Sequence, residues 1–350
     1  MGGAPATKLT RRAAVKAGVA SLGMGLVSPL FAQGKSIVTT ALGGVFEREF
    51  RKAVVDPFSK ETGVEVKIKL GSPGEWLTNA LVNRRRPEID LLFLPYPENI
   101  RAVMEGICEP LVESDIPNLK YVHPAILAQF KGFGAGMDYV ANAIAYRTDM
   151  VETPPKSWKD LWDPGYKGKL IIPDINAIGI WEMLVISARL HGGDEGNMDP
   201  SFAGLRALKP NVRKFYKSSV DLQQLLEAGE AGIAAVTPSN RGYDMVDSGK
   251  PIKFVIPSEG ASIGMVSFHI AKNSPNADIC KKFINFALSK RPQEDFGNGM
   301  NAGPTNSYAV LNDKARSRVP PIDSMLLFDW FKLVPQMGVL ADRWNREIAG

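Results

Sequence analysis

Cysteine and histidine are both scarce in this chain. Two cysteines (Cys108, Cys280) and three histidines (His123, His191, His269) are spread over 350 residues. The cysteines make no Cys-x-x-Cys pair, and no histidine stands in a ligand-spaced motif such as His-Glu-x-x-His, so no metal, iron–sulfur or haem site is expected. A Walker loop is missing too. Gly132-Phe133-Gly134-Ala135-Gly136 has the wrong spacing for a dinucleotide fingerprint, and no cofactor is predicted. Internal repeats and low-complexity tracts are absent.

Charge of one sign is also lacking once the N-terminus is set aside. The formal net charge is +5, but residues 1–32 carry Lys8, Arg11, Arg12 and Lys16 and no acid; +5 less these four leaves +1. A chain this near neutrality has no basic footprint for nucleic acid. What is present is ordinary for a soluble globular protein, with 45% apolar and 23% charged residues. Its length exceeds what one core usually fills, which predicts two domains.

The N-terminus reads Thr10-Arg11-Arg12-Ala13-Ala14-Val15-Lys16, then runs uncharged to Gly34. That stretch holds Gly18, Gly23, Gly25, Ser28 and Pro29, so it is too weakly apolar for a spanning helix, which needs ~20 strongly apolar residues. A charged start, a modest apolar middle and a small-residue end make an export signal, and the paired arginines mark the twin-arginine type. Leu30-Phe31-Ala32 offers a cleavage site, giving a mature start near Gln33. No cysteine lies at the junction to carry a lipid anchor, so a soluble periplasmic monomer is expected. A chain folded in a reducing cytosol before export predicts two buried thiols rather than a disulfide.

Short apolar runs alternate with turn residues and helical periods. Strands are predicted at 36–42, 64–70 and 89–94, with helices at 45–58 (stopped near Pro57), 75–84 and 98–105. A middle segment at 140–147 leads to a second series. It comprises a capped helix at Ser157-Trp158-Lys159-Asp160, strands at 169–172, 231–236 and 253–256, and helices at 177–190 and 221–228. A second middle segment at 265–271 returns the chain to a helix at 278–288, and 322–350 reads as a helical tail. This alternation implies parallel sheets covered by helices. Two α/β lobes joined by two crossings are expected: 33–138 plus 268–315, and 139–267, with 316–350 packing on them.

Ligands in open parallel sheets sit beyond the carboxyl ends of strands, and pockets favour domain interfaces. Five strand ends therefore nominate a cleft. They supply Gly43, Gly44, Ser72, Tyr96, Asp174, Asn176, Thr237, Asn240 and Arg241, with Tyr139 at the first crossing. The three histidines, on this reading, are structural.

The stretch Asp56-Pro57-Phe58-Ser59-Lys60-Glu61-Thr62-Gly63-Val64-Glu65-Val66 resembles the extracellular solute-binding proteins of bacterial ABC importers, nearest to the spermidine/putrescine-type group. Ile89-Asp90-Leu91-Leu92, Ser157-Trp158-Lys159-Asp160-Leu161-Trp162, Gly165-Tyr166-Lys167-Gly168-Lys169-Leu170, Leu225-Leu226-Glu227-Ala228-Gly229-Glu230 and Lys281-Lys282-Phe283-Ile284-Asn285-Phe286 follow in the family's order. The resemblance implies a type II periplasmic binding fold, α/β with two mixed or parallel sheets. It also implies a small-molecule solute held between closing lobes and a membrane permease as partner. No covalent chemistry is implied; a cleft enzyme with a nucleophilic cysteine and a subunit reporting to a sensor are the alternatives.

The same resemblance places polyamine-binding acids at positions occupied here by Ile175, Ile178 and Val266, and tryptophans at Thr237 and Gly264. These departures predict a less acidic shell and a compact polar solute with an anionic or zwitterionic character, with polyamine as the alternative. In that shell the Gly43-Gly44 amides and Arg241 would meet the anion, Ser72 and Asn240 would donate, and Tyr96 and Tyr139 would stack. Asp138 and Asp174 remain as partners for a cation.

Overall fold

Residues 1–3 and 35–350 are described by a computed structural model of the chain; the twin-arginine motif and the cleavage site fall outside the described residues. Eleven strands form one continuous sheet. In chain order they are β1 (Ser36–Ala41), β2 (Glu65–Leu70), β3 (Leu91–Pro95), β4 (Ala135–Arg147), β5 (Leu170–Pro173) and β6 (Val212–Tyr216). Then come β7 (Ile233–Pro238), β8 (Ile252–Val255), β9 (Ala261–Ile270), β10 (Gly303–Pro304) and β11 (Met325–Leu326). The main order is β2-β1-β3-β9-β4-β7-β5-β6.

The sheet has two parallel wings and an antiparallel middle. β1 runs parallel to β2 and β3, and β5 runs parallel to β6 and β7. Between the wings, β4 and β9 run antiparallel and pair with each other. The two sheets expected from the sequence are thus joined into one, because the crossing strands satisfy their backbone groups on each other rather than on water. β4 is 13 residues long. Its first half lies between β9 and β10, and its second half between β7 and β8.

Alternation along the strands builds a layer on each face. On the first wing, Phe93 and Phe268 stack at 4.2 Å, with Phe46 and Phe50 over them from the helical run that begins at Val45. Phe283, from the helix Ala277–Ala287, closes this cluster edge-on. The opposite face carries Leu92 and Leu94 under Trp76, Leu77 and Ala102. Burying each such side chain stabilises the fold by roughly 1.5–3 kcal/mol.

The first helix does not stop near Pro57. It runs as Val45–Phe50, a π turn at Arg51–Val55, and Asp56–Thr62. Pro57 sits in the first turn of the last segment, just past the widened turn, where a missing N–H does least harm. Gly63, at φ 72°, ends the run and donates its N–H to Ser59 O. Several elements had no reading in the sequence, among them β6 and the helices Asp199–Leu208, Ser239–Asp247 and Lys290–Met300. β6 reads Val-Arg-Lys-Phe-Tyr, an edge strand with two exposed cations and no clean period. Lys290–Met300 contains Pro292, Gly297 and Gly299, which mimic a loop; Pro292 is tolerated because it falls in the first turn.

The tail is only partly helical. Met325–Leu326 pairs in parallel with Ala261–Ser262 of β9, and Trp330 stacks on Tyr96 at 4.7 Å. The helix Met337–Trp344 then packs Trp344 on Phe215 and pairs Arg343 with Asp199.

Cys108 and Cys280 are both free and buried, as the reducing-compartment argument predicts. Burial pushes the Cys108 thiol up to about 12 and Cys280 higher still, the nearby Asp90 charge adding to the latter. Neither is a thiolate at neutral pH, so neither supplies a nucleophile. Iodoacetamide at pH 8 is expected to leave both unlabelled in the native protein and to label both in denaturing urea, as read by mass spectrometry.

Candidate functional site

The residues nominated at the strand ends are for the most part already engaged. Ser72 closes a capping box: its hydroxyl accepts from Glu75 N at 3.4 Å, and its own N–H donates to Glu75 Oε2 at 2.9 Å. Tyr96 lies in a stack with Trp330 and Phe130 rather than open at the strand end. Tyr139 is buried, packs against Gly303 where a Cβ has no room, and donates to Pro320 O at 3.1 Å. Burial first, and the Asp323 charge second, push its hydroxyl up to about 12. Thr237 is fully buried and donates to Ala234 O at 3.2 Å. Asn240 accepts from Arg241 N, and Arg241 pairs with Asp244 at 3.8 Å. Asp174 accepts from Ile175 N at 2.7 Å, and Asn176 is exposed. Gly43 and Gly44 are exposed at a helix start without a side-chain cap, Gly44 at φ 74°, which a side chain would resist. Each histidine has a polar partner within the fold, His123 with Ala125 N and Asp323, His191 with Ser187 O, and His269 with Ser267 and Phe133 O; His269 is fully buried and is lowered to about 4 by burial.

The structure brings a different set together where β4 and β9 pass from one wing to the other. Asp138 stands opposite Val266, Val140 opposite Gly264, and Asn142 opposite Ser262. Directly opposed residues share a face, so these six side chains project the same way. A bulge between Gly136 and Asp138 decides this parity: without the extra residue, Met137 would face Val266 and Asp138 would point to the other side. Gly264 confirms the face, since a Cβ there would lie 3.0 Å from Val140 Cγ2 and 3.2 Å from Asn142 Nδ2.

This face is polar at both ends and apolar in the middle. Val140, Gly264 and Val266 are half-buried, while Asp138 is 5%, Asn142 2% and Ser262 0% exposed. Asp138 Oδ1, Asn142 Oδ1 and Ser262 Oγ have no hydrogen-bond partner among the described residues. Each buried polar atom left unpaired costs about 1–3 kcal/mol. Glu182 joins from the first turn of the helix Ile180–Leu190, accepting from Asn142 Nδ2 at a long 3.5 Å. Burial pushes Asp138 up to about 7 and Glu182 up to about 7, the latter opposed by a backbone hydrogen bond. No ion pair holds either carboxyl among the described residues. The arrangement is rich in acceptors and short of donors, which suits a ligand that brings N–H groups.

The sequence reading named Asp138 but missed Asn142, Glu182 and Ser262. The available signal was Asp138 and Asn142 at even spacing inside an otherwise apolar thirteen-residue strand. Among the described residues no group of three or more histidine, cysteine, aspartate or glutamate side chains is placed to hold a metal, and no helix is long and apolar enough to cross a membrane.

Two wings of parallel strands spanned by two crossing strands define a substrate-binding protein of the transport type. Residues 53–319 match the bacterial extracellular solute-binding protein family, and the chain belongs to that family, whose members bind solutes for import and are not enzymes. It is 29% identical over 281 residues to the spermidine/putrescine-binding periplasmic protein of Escherichia coli strain K12, covering 77% of this chain and 76% of that one. It is 22% identical over 317 residues to a γ-aminobutyric acid-binding protein of Pseudomonas aeruginosa, covering 85% of each. The crystal structure of an ABC transporter protein from Clostridium perfringens superposes with a TM-score of 0.81 at 29% identity, covering 89% of this chain and 99% of that one.

The two raised carboxyls fix the sign of a stability effect. The native state holds these protons up to pH about 7, whereas an unfolded carboxyl releases its proton near pH ~4. Between those values the native state binds more protons, so this contribution to stability is present at low pH and is lost as pH rises through 7. An Asp138→Asn protein carries no such term at this position. Its melting temperature relative to wild type is expected to be more favourable at pH 8 than at pH 5.5, measured by calorimetry without ligand.

Proposed function

We propose that this protein is the periplasmic solute-binding component of an ABC importer and captures a small linear solute bearing a primary amine between two lobes. The carrying observation is the acceptor-rich face shared by β4 and β9, which are the strands that join the two wings. Solutes named for the two relatives support the amine: spermidine, putrescine and γ-aminobutyric acid have that group in common. The lobes correspond to 33–138 with 268–315 and to 139–267, and the hinge to the crossing strands. A ligand touching both lobes shifts the equilibrium toward a closed form, which a membrane permease reads. On this reading the mature chain starts near Gln33, after export as a folded monomer.

A second reading gives the solute an anionic end as well. It rests on the exposed, uncapped Gly43-Gly44 helix start, whose free amides suit a carboxylate. Isothermal titration with spermidine, putrescine and γ-aminobutyric acid tests both. At least one is expected to bind with micromolar or tighter affinity and to compact the protein in X-ray scattering. Tight γ-aminobutyrate binding would select the zwitterionic reading; no binding by any amine would sink the proposal.

A further inference from the structure

The face shared by β4 and β9 carries its polar groups on two rungs of one ladder. The first rung is Asp138 opposite Val266, and the third is Asn142 opposite Ser262, with Glu182 reaching Asn142 from the neighbouring helix. The rung between is Val140 opposite Gly264. Resting on the amine reading above, we infer that Asp138 receives the solute's ammonium and that the Asn142–Ser262–Glu182 rung receives a second donor group at its far end.

Three observations point there. Asp138, Asn142 and Ser262 each bury a polar atom with no partner among the described residues, and all three lie on one face of two adjacent strands. Residues four apart on β4 are separated by about 14 Å at ~3.4 Å per residue, so the two rungs address opposite ends of a solute and not one atom. The middle rung is half-buried and apolar, with Val140 and Asn142 leaning over Gly264, where a Cβ would lie 3.0 Å from Val140 Cγ2 and 3.2 Å from Asn142 Nδ2. A lone carboxyl in such a place is costly when ionised, and a bound ammonium is the partner that offsets the cost. Acids absent at positions 175, 178 and 266 are thus replaced, on this assignment, by Asp138 across the ladder from Val266 and by Glu182 one helical turn into the next element.

The test is titration calorimetry of the full chain with putrescine, spermidine and γ-aminobutyric acid, using wild type, Asp138→Asn and Glu182→Gln. Asp138→Asn is expected to weaken every amine that wild type binds by at least about tenfold, the loss of one charge-assisted hydrogen bond. Glu182→Gln is expected to weaken putrescine and spermidine similarly and to leave γ-aminobutyric acid within about twofold. Both unliganded variants should melt at or above the wild-type temperature at pH 8, because each removes a desolvated carboxylate. Wild-type affinity retained in Asp138→Asn would overturn the assignment, as would equal losses for diamine and γ-aminobutyric acid in Glu182→Gln, or a drop in melting temperature without a drop in affinity, which marks rungs that hold only water. In each of those cases the amine-import reading stands. A wild type that binds none of the three removes that reading and this assignment with it.

Discussion

The pairing of β4 with β9 is the constraint on which the rest of the molecule depends. These strands carry the chain between wings, and their backbone groups are spent on each other and on five further strands. The wings are parallel α/β layers, and one buried apolar cluster runs through both, from Ile37 and Phe93 to Ile172 and Phe202.

The same ladder sets which side chains share a face. A single extra residue near Met137 puts Asp138, Val140 and Asn142 on one face and sends Tyr139 to the other, where it is locked by Pro320 and Gly303. Asp138 Oδ1, Asn142 Oδ1 and Ser262 Oγ remain unsatisfied on that face, whereas buried Gln293 is bonded to Met137 O and Thr305 N. Three of the seven unsatisfied buried side-chain atoms among the described residues thus share one face of two adjacent strands.

Much of the fold was legible because its signals are local. The strand-then-turn pattern at 36–44 and 64–72, the capping box at Ser157 and the stop at Gly63 each depend on a few adjacent residues. The elements that went unread, such as Lys290–Met300, are those whose local propensity is poor and whose stability comes from packing, here Phe296 against Phe46. Site residues fared worse. Ser72, Tyr96 and Thr237 do sit at strand ends, but their polar atoms and rings are taken up by capping, by Trp330 and by Ala234. No sequence pattern reveals a partner lying 234 positions downstream, as Trp330 lies from Tyr96.

The sequence by itself determined the class: alternating α/β units and two crossings follow from short-range periodicity, and the ordered motifs carry the resemblance to the family. Tertiary structure alone decided which polar groups are free, since that depends on the register between β4 and β9, on a bulge that reverses side-chain parity, and on Glu182 arriving from a helix 40 residues beyond Asn142. Hydrogen bonds between distant segments are settled by geometry at the scale of a few tenths of an ångström, and a one-dimensional pattern carries no record of them.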